Sequence, residues 1–127
     1  MKLARFILGM ALGAWTAGAL PAPPEGTVRE VEHLLSYLAD SACQFHRNGE
    51  WYPAGKARDH LRRKYGYLVR KDLIRTTEHF VERAAKESSR SGQPYRVRCG
   101  DRETASAAWL TEELHRFRAR SVPQPTP

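Results

Sequence analysis

Asn48-Gly49 separates two short runs that both carry aromatic residues, Cys43–Arg47 and Glu50–Tyr52. Both positions of a two-residue type I′ turn need positive φ, which Asn and Gly supply at least cost, so the pair predicts a β-hairpin. That turn sets Arg47 opposite Glu50, His46 opposite Trp51 and Phe45 opposite Tyr52. Side chains alternate along a strand. Cys43 and Phe45 therefore share the core face with Tyr52, while His46 and Trp51 share the other.

Tyr95-Arg96-Val97-Arg98-Cys99 alternates in the same way, with Tyr95, Val97 and Cys99 inward. Gly100–Glu103 reads as a turn. Ser88–Pro94 has no apolar residue and reads as a loop. Four helical patterns surround these strands. Val28, Val31, Leu35 and Leu38 form one stripe over about Val28–Ser41, with Thr27 and Glu30 as a capping box. Ala57, Leu61, Tyr65 and Leu68 mark a basic helix over about Ala54–Lys71, interrupted by Gly66. A third helix starts near Thr76, with Ile74 as a staple and Phe80, Val81, Ala84 and Ala85 on its buried face. Ala107, Leu110, Leu114 and Phe117 mark a fourth over about Ala105–Arg118. The expected architecture is α+β, with about four helices packed on a two- or three-stranded antiparallel sheet.

The first residues read differently. Lys2 and Arg5 precede Phe6–Leu20, which carries no charge, and Ala17-Gly18-Ala19 offers small residues where a signal peptidase reads. This is the pattern of a secretory signal peptide, 1–19. Its apolar stretch would span roughly 22 Å as a helix, short of the roughly 30 Å of a bilayer core. No stable membrane anchor is expected after cleavage. The expected organisation is a Pro-rich tail over 20–26, a single domain over 27–120 and a loose tail over 121–127. Loss of Lys2 and Arg5 lowers the net charge from +7 to +5. Part of the basicity therefore belongs to the address.

A domain of this size buries only some 60–65% of its unfolded surface and needs a staple. Cys43 and Cys99 are the two cysteines, and export would oxidise them. A bridge between them would contribute about 4 kcal/mol in the chain-entropy model. Two free thiols are one alternative. Zinc is another, because Cys43 and His46 have a C-x-x-H spacing, but in a strand these two point to opposite faces. The expectation is a Cys43–Cys99 disulfide and no metal.

Four stretches together resemble the YfeK-like family of small secreted or periplasmic bacterial proteins, a domain of unknown function. They are Phe45-His46-Arg47-Asn48-Gly49, Ala57 with His60-Leu61 and Lys64-Tyr65, Thr76-Thr77-Glu78 with Phe80, and Ser88-Ser89-x-Ser91-Gly92-x-Pro94-Tyr95; Trp109-Leu110 matches more weakly. The resemblance covers about Val28–Phe117. It implies export and one domain, and it implies no activity.

No catalytic signature is present: the chain lacks G-x-S-x-G, H-E-x-x-H, G-x-G-x-x-G, a Walker A loop and C-x-x-C. No catalytic residue and no cofactor is assigned. The candidate binding residues are Arg47, His60, Lys64, Ser88, Ser89, Ser91 and Tyr95. His60 and Lys64 lie one turn apart and either face a cleft that takes an anion or simply edge the core. The serines either end a helix and shape a turn or offer hydroxyls to a ligand. Arg47 either pairs with Glu50 across the hairpin or grips a carboxylate bidentately. Trp51, His46, Arg96 and Arg98 form an aromatic-basic face if no helix covers them, and Trp109 is open to the same two readings.

Three functions follow. The first is a non-enzymatic exported binding or adaptor module for an envelope protein or small ligand. The second is a small envelope hydrolase using Ser89 or Ser91 with His60. The third is an electrostatic binder of anionic envelope polymer or lipid. Export, and the acidic residues Asp59, Asp72 and Glu78 that break the basic run, argue against nucleic acid.

Overall fold

The computed structural model describes Gly9, residues 11–14 and residues 22–122. The expected cleavage point after Ala19 and residues 123–127 of the expected tail lie outside the described residues. Among the described residues no helix is long and apolar enough to cross a membrane.

The hairpin forms as the Asn-Gly pair dictates. Strand β1, Gln44–Arg47, pairs antiparallel with β2, Glu50–Pro53, in the expected register, Phe45 against Tyr52 and Arg47 against Glu50. Asn48 and Gly49 both take positive φ, 49° and 86°. Strand β3, Arg96–Cys99, pairs with the other edge of β1, so Phe45 lies against Val97 and His46 against Arg96. The sheet has a fourth strand, β4, Arg102–Ala105, giving the order β2-β1-β3-β4. This corrects the expected two or three strands. The reading of Gly100–Glu103 as a turn fails at its second half: the chain reverses at Gly100, with φ 60°, and Arg102 already pairs with Cys99. Arg-Glu-Thr-Ala carries no apolar alternation because β4 is a largely exposed edge, held through pairs such as Arg96–Glu103 at 2.8 Å.

Helix α1 spans Glu25–Asp40 and starts upstream of the expected Thr27 cap. Pro24 holds the N-cap position and Glu25 places a carboxylate in the first turn, where the helix dipole favours it. Thr27 lies inside the helix, and its buried hydroxyl donates to the Arg75 carbonyl at 3.0 Å. The side chains of Val31, Leu34, Leu35 and Leu38 are buried. Helix α2, Ala54–Arg70, follows β2 with no linker, and Leu61 is its main buried anchor. Helix α3, Thr77–Phe80, is capped by Thr76, whose hydroxyl accepts from the His79 N–H at 3.1 Å while the His79 ring answers the Thr76 N–H. It widens into a π-helical stretch over Val81–Ala85. Helix α4, Ser106–Ser121, follows β4 directly.

The core lies between the sheet and the helices, around Phe80, Leu34, Leu35, Leu38, Ile74, Val97, Leu110 and Leu114. Trp109 packs on it, edge-on to Phe45 at 5.5 Å and tilted against Tyr37 at 4.7 Å. Cys43 and Cys99 are joined by a disulfide, with Cα atoms 4.6 Å apart, so the start of the hairpin is tied to the end of β3. On the opposite sheet face His46 and Trp51 pack at 5.0 Å, and the Arg98 guanidinium lies 4.1 Å over the Trp51 ring. All three stay half-exposed.

Candidate functional site

Three segments meet at the turn end of the hairpin. β1 delivers Arg47 and Asn48. α2 springs straight from β2, so His60 and Lys64, one turn apart, face that end. The chain after the π-helical stretch returns through the serine loop, closed by a bridge between Glu87 and Pro94, and presents Tyr95 just before β3.

Arg47 Nη1 lies 2.6 Å from His60 Nδ1, and His60 Nε2 lies 3.0 Å from the Tyr95 hydroxyl. Lys64 Nζ donates to the same hydroxyl at 3.2 Å and to the Glu87 carbonyl at 3.1 Å. A guanidinium has donors only. Nδ1 must therefore accept, which fixes the proton on Nε2 and makes the Tyr95 oxygen its acceptor. With two N–H groups on that oxygen, the Tyr95 O–H hydrogen remains available to donate elsewhere. Burial, then the charges of Arg47, Lys64 and Arg63, push the His60 pKa down to about 4. Burial lowers the pKa of Lys64 and raises that of Tyr95. At neutral pH the cluster is one neutral imidazole, one protonated phenol and two cations.

Neither cation meets a carboxylate at ion-pair distance, and only the more distant Glu87 charge acts on Lys64. The register puts Arg47 opposite Glu50, yet Glu50 accepts from the Tyr52 hydroxyl at 2.8 Å, while the Arg47 guanidinium lies 4.9 Å over the Tyr52 ring. Among the described residues no carboxylate forms an ion pair with Arg47 or Lys64. The other basic residues of α2 include paired ones: Arg62 grips Glu32 with two bonds of 2.9 Å, and Arg58 meets Asp59.

The serines divide into two kinds. Ser88 is buried, and its hydroxyl accepts from Asn48 Nδ2 at 3.1 Å and from the N–H of Arg90 and of Ser91. Ser91 donates to Asn48 Oδ1 at 2.6 Å and accepts from the Gln93 N–H. These two shape the loop and tie it to the hairpin. Ser89 lines the cleft with Arg47, His60, Lys64 and Tyr95. Sequence reading overlooked two participants. Asn48 serves the turn, as its sequence context predicts, and as the chain's one asparagine it also holds the loop. Alternation places Tyr52 on the core face, but it is half-exposed and supports Arg47.

A cavity of about 300 Å³ adjoins the cleft. Leu38, Phe45, Ala57 and Leu61 give it apolar walls, and Arg47, Tyr52, His60 and Tyr95 line both spaces.

A family of unknown function, DUF5329, matches residues 25–118, which spans all four helices and all four strands except the last turn of α4. The chain belongs to the DUF5329 family. No curated protein and no solved structure matches it. DUF5329 membership names no reaction and no ligand, so the chemistry of this DUF5329 chain rests on the cluster itself. That cluster is a set of hydrogen-bond donors converging on one opening: the free Tyr95 O–H, the Lys64 ammonium and the remaining N–H groups of Arg47. Such a set stabilises a group that only accepts.

Proposed function

We propose that this DUF5329 protein is an exported, non-enzymatic binding module that holds an anionic group of its ligand in the cleft between the hairpin, α2 and the serine loop. The observation that carries the reading is the pair of cations, Arg47 and Lys64, gathered on a neutral His60–Tyr95 pair with no carboxylate at ion-pair distance from either among the described residues. Desolvating two like charges beside one another is unfavourable unless something of opposite charge joins them. Export is supported by the signal-like start and by the disulfide. The matches at Arg47-Asn48-Gly49 and at Ser88-Ser89-x-Ser91-Gly92-x-Pro94-Tyr95 support the finer assignment to YfeK-like proteins.

The hydrolase alternative has less support. A serine nucleophile needs an imidazole nitrogen within reach as its base. Both nitrogens of His60 are engaged, one by Arg47 and one by Tyr95, and a pKa near 4 makes it a weak base at neutral pH. Ser91 is turned to Asn48.

Titration of the protein with acetate and with inorganic phosphate, read from backbone amide shifts, tests the proposal. The expected shifts centre on Arg47, Asn48, His60, Lys64 and Ser88–Tyr95, and weaken at least about tenfold in Arg47→Gln, the loss of one charge-assisted bond. Shifts that spread evenly over the basic face of α2 and ignore Arg47→Gln would overturn it in favour of unspecific electrostatics.

A further inference from the structure

We infer that the ligand is an apolar carboxylic acid, its carboxylate held by Arg47 and Lys64 and its apolar body in the adjoining cavity walled by Leu38, Phe45, Ala57 and Leu61. This rests on the anion-binding reading above and adds what the rest of the ligand must be.

The cavity and the donor cluster are one construction. Arg47, Tyr52, His60 and Tyr95 form the wall between them and line both spaces. Leu38, Phe45, Ala57 and Leu61 line the far side of that wall, where an apolar body packs against them and a polar one would leave groups unpaired. A volume of about 300 Å³ sits at the lower end of small-molecule sites, which run from roughly 300 to 1,000 Å³. At about 30 Å³ for a water-sized group, it holds roughly ten such groups, the bulk of a chain of about six to eight carbons or of one aromatic ring.

The polar side selects the head. Arg47 spends one terminal nitrogen on His60, and its remaining N–H groups keep the planar spacing that matches two carboxylate oxygens. Lys64 adds a point charge and Tyr95 a neutral donor. At the cavity rim the charges of Lys56 and Arg63 exceed that of Asp59, which is already paired with Arg58 at 2.9 Å. On the cleft side Arg47, Lys64 and Arg90 likewise outnumber Glu50, which accepts from the Tyr52 hydroxyl, so an anion is favoured on both sides of the wall. The same chemistry occurs in a free short-chain acid and at the C-terminus of a peptide that ends in an apolar residue.

The test is a calorimetric titration of the whole protein with straight-chain carboxylates from acetate to octanoate, beside 1-hexanol, N-acetyl-leucine and N-acetyl-leucine amide. The expected result is a dissociation constant that tightens by about twofold to fourfold per methylene, the worth of burying one such group, and that levels off when the cavity is full. Ala57→Leu, which builds a side chain into the cavity, should flatten that series. Hexanoate alone would assign the site to free acids; N-acetyl-leucine binding comparably, and its amide not, would assign it to peptide C-termini. Acetate binding with no gain from chain length would overturn this inference and leave the anion site standing. Hexanol binding as well as hexanoate would overturn the carboxylate and, with it, the anion site, leaving an apolar cavity. No binding by any probe would overturn both.

Discussion

Arg47 Nη1 stands 2.6 Å from His60 Nδ1, so a side chain that can only donate fixes the tautomer of its neighbour. Its consequence is a histidine that resists protonation. An unfolded histidine titrates near 6.5, whereas burial and then the neighbouring cations hold folded His60 to about 4. Below the unfolded value the unfolded chain takes up a proton that the folded chain refuses. Stability contributed by neutral His60 is therefore full above about pH 6.5 and declines as pH falls toward 4. The ring is half-exposed, so screening reduces the effect to on the order of 1 kcal/mol. Ring resonances should titrate near 4 in the native protein and move upward in Arg47→Met, and His60→Gln should flatten the acid limb of the stability curve. A His60 midpoint near 6.5 in the native protein would refute the assigned hydrogen bonds.

Replacing both Cys43 and Cys99 by serine should cost about 2–4 kcal/mol in urea unfolding, because the bridge restricts the unfolded chain over a separation of 56 positions. The cost should appear in the midpoint and not as a loss of the hairpin register, which Asn48 and Gly49 set independently.

Asn48→Gly separates two roles. Glycine keeps the positive φ that the turn needs and removes the side-chain bonds to Ser88 and Ser91. The hairpin amides should stay protected while those of Ser88–Gln93 exchange faster, at a cost of about 1–2 kcal/mol. Unchanged exchange in the loop would show that its own backbone bonds, such as Ser88 N–H to the Gln93 carbonyl at 3.0 Å, suffice.

Glu113 on α4 is 4% exposed and joins His33 at 2.8 Å, Arg116 at 3.0 Å and Arg120 at 3.4 Å. Burial pushes its pKa up, but the bonds from His33 and Arg116 outweigh that and hold it below 4.5. Its contribution is present above that value and is lost as pH falls through the lower folded one. Glu113→Ala should lower stability by about 1–3 kcal/mol at neutral pH, with the difference from native shrinking in acid.

The parts of the fold governed by local rules could be read from the residues. Asn48-Gly49 determined the hairpin and its register, and alternation in Tyr95–Cys99 placed both cysteines on one face. β4 was hidden because an exposed edge strand needs no apolar pattern, and the Glu30 three residues after Thr27 imitated a capping box at a position that lies inside α1, which starts after Pro24. In the cleft, residue types suggested Arg47, His60, Lys64, Tyr95 and the serines, but not their contacts. Whether Arg47 turns to Glu50 or to His60 depends on how α2 leaves β2. Whether Ser91 faces His60 or Asn48 depends on how the loop returns. Both are set by packing over distances that no local pattern encodes.

Every residue of the cleft falls between Cys43 and Cys99, so the bridge makes that stretch of chain a covalent ring. A single backbone cut in the exposed serine loop opens the ring without releasing a fragment. The hairpin and α2 on one side, and Tyr95 on the other, stay attached through sulfur. Only a cut combined with a reductant parts the stretch that carries Arg47 and His60 from the one that carries Tyr95.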